Sequence, residues 1–424
     1  MVAAGARVRR WGALALFGLV ACAALVLRTG DSQARPTDYA ADLERLDREL
    51  GALGPGAATI PLSVERATRH VALLQRRAAL TGSPADEAGA RAATGEALQR
   101  LGPAPDLVLL GTDFALRFHR LTEAHDDLAS LPAGAGGSDI EALRADLALQ
   151  EGDYAQARRH CEEALRTRRD WSVLARLAQL EFLGGDATGA DALYAQAEDE
   201  LTAKEMRAYA WLELQRGLLA LGRGRHSETE QHYARAERAY SGDWRVAEHQ
   251  AELLAAERRF DEAVALYKRV LARAPRPEIE QALGDLLTFM GQNDGARAWH
   301  DRALRGYLAS VQRGEVHYLH HLAGFYADVR VDGLEALRWA RQDAALRRGA
   351  LTLDALAWAL YRSGRFADAL DTMRTAPQGG VQDAHLCFHA AMVHLAAGQV
   401  EEGRRWLTRA AELNPHYDAF HEHR

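Results

Sequence analysis

From residue 38 onward, apolar residues recur at the three-to-four-residue interval of amphipathic helices, broken at short intervals by glycine or proline. YAADLERLDREL places Leu43, Leu46 and Leu50 on one helical face, and the Gly/Pro-rich GALGPGAATIP ends that helix. Beyond it the pattern repeats. The segment ERRFDEAVALYKRVLARAP, residues 257–275, carries a small residue at Ala263, an aromatic at Tyr267, a compact apolar residue at Val270 and a proline at Pro275. The same frame returns at GDYAQARRHCEEAL from Gly152, GGDATGADALYAQA from Gly184, GQNDGARAWHDRAL from Gly291, GRFADALDTMRTAP from Gly364 and GQVEEGRRWLTRAAELNP from Gly398.

Two series of small residues keep step with one another. The first is Ala145, Ala178, Gly217, Ala251, Gly284, Ala323, Ala357 and Ala391, with steps of 33, 39, 34, 33, 39, 34 and 34. The second is Ala157, Ala190, Thr229, Ala263, Ala296, Ala336, Ala369 and Gly403, with steps of 33, 39, 34, 33, 40, 33 and 34. Paired helices approach closely only where side chains are small, and each pair buries its open face on the next, so a fixed period predicts a solenoid. The long steps predict insertions around 200–208 and 305–315. Ala78 and Thr112 extend the first series backwards, and Ala90 and Ala124 the second, which predicts two degenerate repeats over 71–137 before eight clear ones over 138–417.

In these residues the chain resembles the tetratricopeptide repeat. The resemblance covers residues 71–417 and implies an all-α, right-handed superhelix of about ten helix pairs, with the first helix of each pair lining a concave groove. It leaves residues 35–70 as a helical lead-in and 418–424 as a tail. Thr229 and Gly403, where alanine is usual, and Asp343, where a small apolar residue is usual, depart from the pattern.

The N-terminus has a different character. Three arginines precede seventeen uncharged residues, Trp11 to Leu27, which marks residues 1–34 as a membrane-targeting segment and the rest as exported, to a bacterial periplasm or cell envelope. Cleavage after SQA at 32–34, retention as an anchor, and lipidation of Cys22 in a lipobox-like Leu19-Val20-Ala21-Cys22 are alternative fates. Residues 1–34 carry a net +3, four arginines against Asp31, so of the chain's −7 the remainder holds about −10 and shows no basic stripe; no nucleic-acid partner is expected. Cys161 and Cys387 are too few for a disulfide framework or a zinc site and fall at core positions of the frame.

No phosphate-binding, nucleotide-binding or nucleophile-elbow motif is present, and acidic pairs such as Asp126-Asp127 and Glu401-Glu402 point apart on a helix, so no enzyme and no cofactor are expected. The chemistry that stands out is histidine. HYLHH, 317–321, begins the first helix of a repeat, and the next two repeats place Asp354, Trp358 and Tyr361, then His385, Phe388, His389 and Met392, at comparable positions. The resemblance turns His317, His320 and these residues toward the groove.

Three readings stand: a solvated polar-aromatic surface, a groove for an extended peptide or helix of a protein partner, and a metal site built from His317, His321, His385 and His389 with Asp354. The groove reading makes the chain a scaffold or assembly factor. It also predicts that alanine at Trp358 and Phe388 abolishes partner capture and leaves melting unchanged. A second stripe, Phe182, Trp211, Leu214, Leu218 and Leu221, reads as inter-repeat core. The closing HYDAFHEHR, with His416, His421 and His423, reads as a solubilising cap.

Overall fold

The computed structural model describes residues 37–53, 63–132, 135–375 and 383–417. The expected targeting segment, Cys22, and the tail with His421 and His423 lie outside them. Among the described residues every regular element is helical, and no helix is long and apolar enough to cross a membrane.

A single helix, α1 (Asp38–Ala52), precedes ten antiparallel pairs of a helix A and a helix B. Repeat 1 pairs Val64–Thr81 with Pro84–Leu101, repeat 2 Pro105–Arg117 with Leu121–Ala129, and repeat 3 Ser138–Glu151 with Tyr154–Thr167. Repeat 4 pairs Trp171–Leu183 with Ala187–Asp199, repeat 5 Met206–Leu221 with His226–Ala239, and repeat 6 Trp244–Ala256 with Phe260–Arg273. Repeat 7 pairs Pro277–Phe289 with Asn293–Gln312, and repeat 8 Leu319–Gly324, continued by a π-helical turn Phe325–Val329, with Gly333–Leu346. Repeat 9 pairs Ala350–Arg362 with Phe366–Thr375, and repeat 10 Ala384–Ala396 with Val400–Leu413.

The small residues of both series sit where helices A and B touch. Ala178, Ala190, Ala251 and Ala263 are fully buried, and a Cβ on Gly217 would strike the ring of Tyr233. The two departures keep this close approach. Thr229 is buried with its hydroxyl donating to Arg225 O at 3.1 Å, and a Cβ on Gly403 would come 2.6 Å from Leu395. Cys161 and Cys387 are buried free thiols, and burial pushes their pKa up to about 11 and about 12.

Three details differ from the sequence expectation or sharpen it. Helix A of repeat 1 begins at Val64 rather than 71, because the Ser63 hydroxyl caps it by accepting from Arg66 N at 3.4 Å. The insertion around 305–315 is not a loop but an extension of helix B of repeat 7 to 20 residues. The step from the first to the second small residue is 12 in every other clear repeat and 13 between Ala323 and Ala336; the π-helical turn absorbs that extra residue.

Each A–B turn needs one residue in the left-handed region. Glycine supplies it in seven repeats, but His119, Arg258 and Val331 supply it in repeats 2, 6 and 8, at φ of 57°, 61° and 55°.

The solenoid winds tightly enough to touch itself. The edge made by the A–B turns of repeats 1–5 lies on the edge made by the loops that join repeats 6–10, through polar contacts between residues 164 to 228 apart in sequence. At about 34 residues per repeat that offset is five to seven repeats per superhelical turn. Trp244 Nε1 donates to Leu80 O at 3.0 Å, Arg276 Nη1 to Gly82 O at 3.0 Å, Arg347 Nη1 to His119 Nε2 at 2.9 Å, and Ala350 N to Tyr154 Oη at 2.7 Å. Leu183 and Phe182 pack with Ala350 and Leu386 across the same seam. α1 joins it as well: Tyr39 N donates to Ser241 O at 3.1 Å.

Of the closing segment expected to be a solvated cap, residues 416 and 417 are described, and His416 lies in the seam with Asn414 before it. Asn414 is fully buried and closes on Gly224, and the rings of His416 and His226 lie 5.1 Å apart. The apolar stripe divides for the same reason. Leu214 and Leu221 are core and Phe182 belongs to the seam, while Trp211 is partly exposed between Trp171 and Tyr194.

Candidate functional site

Helices A of repeats 7–10 enclose a concave cavity of about 480 Å³. Its polar wall is made of Asp285, Asp328 and Asp354 with His320, His385 and His389; its apolar wall includes Phe289, Leu351, Trp358 and Leu386. No Lys or Arg lines it.

Local structure presets these groups. Four rings form a column: Tyr361 and Trp358 stack at 4.7 Å and 16°, Trp358 and His389 at 4.0 Å and 11°, and His385 lies 4.2 Å from His389. Spacings of three or four residues on helices A of repeats 9 and 10 bring rings of one helix together, and the tight packing of the two helices joins the pairs. Hydrogen bonds fix the column. Trp358 Nε1 donates to both oxygens of Asp328 at 3.0 and 3.1 Å, and His389 Nδ1 lies 2.8 Å from Asp354 Oδ2. His300 Nε2 meets Asp285 Oδ1 at 2.8 Å in the same way.

Asp328 belongs to the π-helical turn, whose extra residue changes the register of the helix end and aims the carboxylate at Trp358. Burial raises the Asp328 pKa, against the Trp358 hydrogen bond that lowers it. The sequence reading missed Asp328, and the 13-residue step between Ala323 and Ala336 was the signal for it.

Of the residues expected at the groove, His320, Asp354, Trp358, His385 and His389 line the cavity. Tyr361 stands behind Trp358 in the ring column, while Phe388 and Met392 are half-buried in the core cluster of repeats 7–10. Trp358 is not a free groove residue either. It is 9% exposed, stacked on both faces and hydrogen-bonded, so alanine there is expected to lower melting rather than leave it unchanged.

His317 turns away from the cavity. Its ring sits 5.2 Å from Phe118 of repeat 2, edge to face across the seam, and burial lowers its pKa to about 4. His321 is packed against Tyr307 and Tyr318, with its pKa pushed down to about 3 by burial. The metal reading fails on this geometry. The ring nitrogens of His317, His321, His385 and His389 do not converge. Among the described residues the one group of three ligand atoms close enough for an ion is Glu248, His249 and Glu252. There His249 Nδ1 already bonds Glu252 Oε2 at 2.5 Å, and Arg117, Arg245 and Arg276 line the adjoining cavity, which disfavours a cation.

Asp343, the third departure from the repeat pattern, is buried because it holds Arg347 at 2.8 Å, and Arg347 in turn holds His119. The polar residue in a small-residue position is thus the root of a seam contact.

Residues 64–413 form a tetratricopeptide-type solenoid. No family model matches the chain, and no curated protein matches it. Among solved structures, the Cut9–Hcn1 hetero-tetramer of the APC/C is similar at 16% identity over 96% of this chain and 87% of that chain, with a TM-score of 0.41. Yeast Tom70 is similar at 13% identity over 88% of this chain and 92% of that chain, with a TM-score of 0.41. A Pseudomonas aeruginosa pilF structure is similar at 21% identity over 51% of this chain and 94% of that chain, with a TM-score of 0.35.

Proposed function

We propose that this chain is a non-catalytic binding module, a scaffold or assembly factor, whose cavity in repeats 7–10 receives a cationic, partly apolar segment of a protein partner. The observation that carries this reading is the cavity wall: three carboxylates and no lysine or arginine lining it, with a single guanidinium, Arg362, 3.8 Å from Asp328, beside an ordered ring column. A basic side chain entering there meets carboxylates directly, and its aliphatic stem meets the exposed Phe289. The rings are already held by Asp328 and Asp354, so little ordering cost falls on binding.

The wall also supports a role without chemistry. Its one hydroxyl, Thr288, donates its proton to Gly284 O at 3.0 Å rather than to a histidine of either His–Asp pair. The arginine-led apolar stretch at residues 11–27 supports placing the module in a cell envelope, with the partner there too.

Selection from a random peptide library on the immobilised full chain tests the reading. Selected peptides are expected to be enriched in Arg and Lys, to bind more weakly as salt rises, and to lose about tenfold or more in affinity to an Asp328→Asn/Asp354→Asn variant. Asparagine keeps an oxygen for Trp358 and for His389, so the fold is retained. Peptides without charge bias, or equal binding by the variant, would move the partner site elsewhere.

A further inference from the structure

The seam covers only one of the two A–B edges. A Cβ on Gly152 would come 2.5 Å from Arg348 O, one on Gly82 would come 2.7 Å from Arg276 Nη1, and one on Gly224 would strike Asn414. The same turn glycines of repeats 7, 9 and 10, Gly291, Gly364 and Gly398, meet nothing within 4 Å. Among the described residues the second edge is therefore open, and it exposes apolar side chains between charged ones. Val331 is 67% exposed, Leu334 75%, Phe366 38% and Val400 44%, all at the A–B turns of repeats 8–10. In repeat 3 the residue that begins helix B, Tyr154, accepts a seam hydrogen bond; Phe366 and Val400 begin helix B in repeats 9 and 10.

Val331 lies on the same edge. The A–B turn requires its left-handed backbone, yet the residue placed there is β-branched and apolar rather than glycine, and its side chain is left exposed. His119 occupies the equivalent position in repeat 2, and from there its side chain crosses the seam to Arg347. The left-handed position aims a side chain at the next superhelical turn, and Val331 aims an apolar one at a turn the described residues do not supply.

We propose that the open edge of repeats 8–10 docks the loop-side edge of repeats 1–5 of a second copy, continuing the superhelix from one molecule into the next. One chain already carries both mating edges, since its own first turn lies on its second. The loop-side edge of the first turn presents apolar residues at helix A starts, Val64 and Met206, each 39% exposed, where repeats 6 and 9 place Trp244 and Ala350 in the seam. Such a contact is heterologous: the two surfaces differ, so each added copy exposes a fresh edge and assembly grows with concentration.

Sedimentation velocity of the full chain, in one detergent throughout and over about two decades of concentration, is the test. The wild type is expected to form a concentration-dependent series of species. Two variants block one edge each, Leu334→Asp/Val400→Asp on the open edge and Val64→Asp/Met206→Asp on the loop side. All four positions lie in the first turn of a helix, where aspartate is favourable, so folding is retained. Each variant alone is expected to be monomeric, and their mixture to form a one-to-one dimer that grows no further. A wild type that stays monomeric throughout would overturn the proposal. So would a Leu334→Asp/Val400→Asp variant that associates like the wild type, or a Val64→Asp/Met206→Asp variant that still pairs with itself.

Discussion

At the scale of single residues, Trp358 shows how a side chain can be placed correctly and misjudged. The frame put it on the concave face, where it lies. What the frame lacked was the stacking of His389 and the Asp328 acceptor, contributed by helices one repeat away on either side. Truncating a buried aromatic costs about 3–5 kcal/mol, so Trp358→Ala is expected to lower the melting temperature strongly, as differential scanning calorimetry would show. An unshifted transition would mean that the column does not stabilise the fold. Val331 predicts the opposite sign. Relief of a left-handed valine is worth about 1–2 kcal/mol, partly offset by the flexibility glycine adds to the unfolded chain, so Val331→Gly should raise the denaturation midpoint slightly. A fall in that midpoint would show that the Val331 side chain is held by contacts within the monomer.

At the scale of elements, most of the molecule was readable. Helix pairing follows from two phased series of small residues, and those residues are buried where the phase requires. Helix length was less legible, because an insertion can lengthen a helix as easily as a loop; the 20-residue helix B of repeat 7 took the first course. The π-helical turn was visible only as one step of 13 among steps of 12. Deleting Tyr326 restores the common step and turns Asp328 by about 100° relative to the rest of helix A. Far-UV circular dichroism should keep its helical signal, while binding of library-selected basic peptides falls as it does in Asp328→Asn/Asp354→Asn. Intact binding after the deletion would remove Asp328 from the site.

At the scale of the whole solenoid, the sequence carried little. The seam joins residues 164 to 228 apart, and its existence depends on a small rotation per repeat that no local pattern encodes. HYLHH was therefore divided in a way the frame could not show: His320 faces the cavity, while His317 faces Phe118 of the first turn.

The seam should also make stability depend on pH, through His119. Arg347 donates to its Nε2 at 2.9 Å, and Nδ1 lies 2.7 Å from Gln150 Oε1, so Nδ1 carries the proton and Nε2 must stay bare. A proton on Nε2 would confront the guanidinium, with Asp343 behind Arg347 and His320 the other charged or titratable neighbours. Burial first, then Arg347, lowers the His119 pKa to about 4, against about 6.5 when unfolded. The unfolded chain thus binds a proton over that interval that the native chain does not. The contribution is complete above about pH 6.5 and is lost as pH falls toward 4, at about 1.4 kcal/mol per pH unit.

His317 and His321 act in the same direction, while Glu87, raised to about 7, and Asp127, raised to about 6, oppose them by holding protons in the native state. Comparison with a variant isolates His119. Asparagine tolerates the left-handed turn, so His119→Asn should fold, and its urea-denaturation free energy should fall less steeply than the wild type's between pH 6.5 and 5. Identical slopes would show that His119 is free to take up its proton in the folded state, and that the seam opens there without cost.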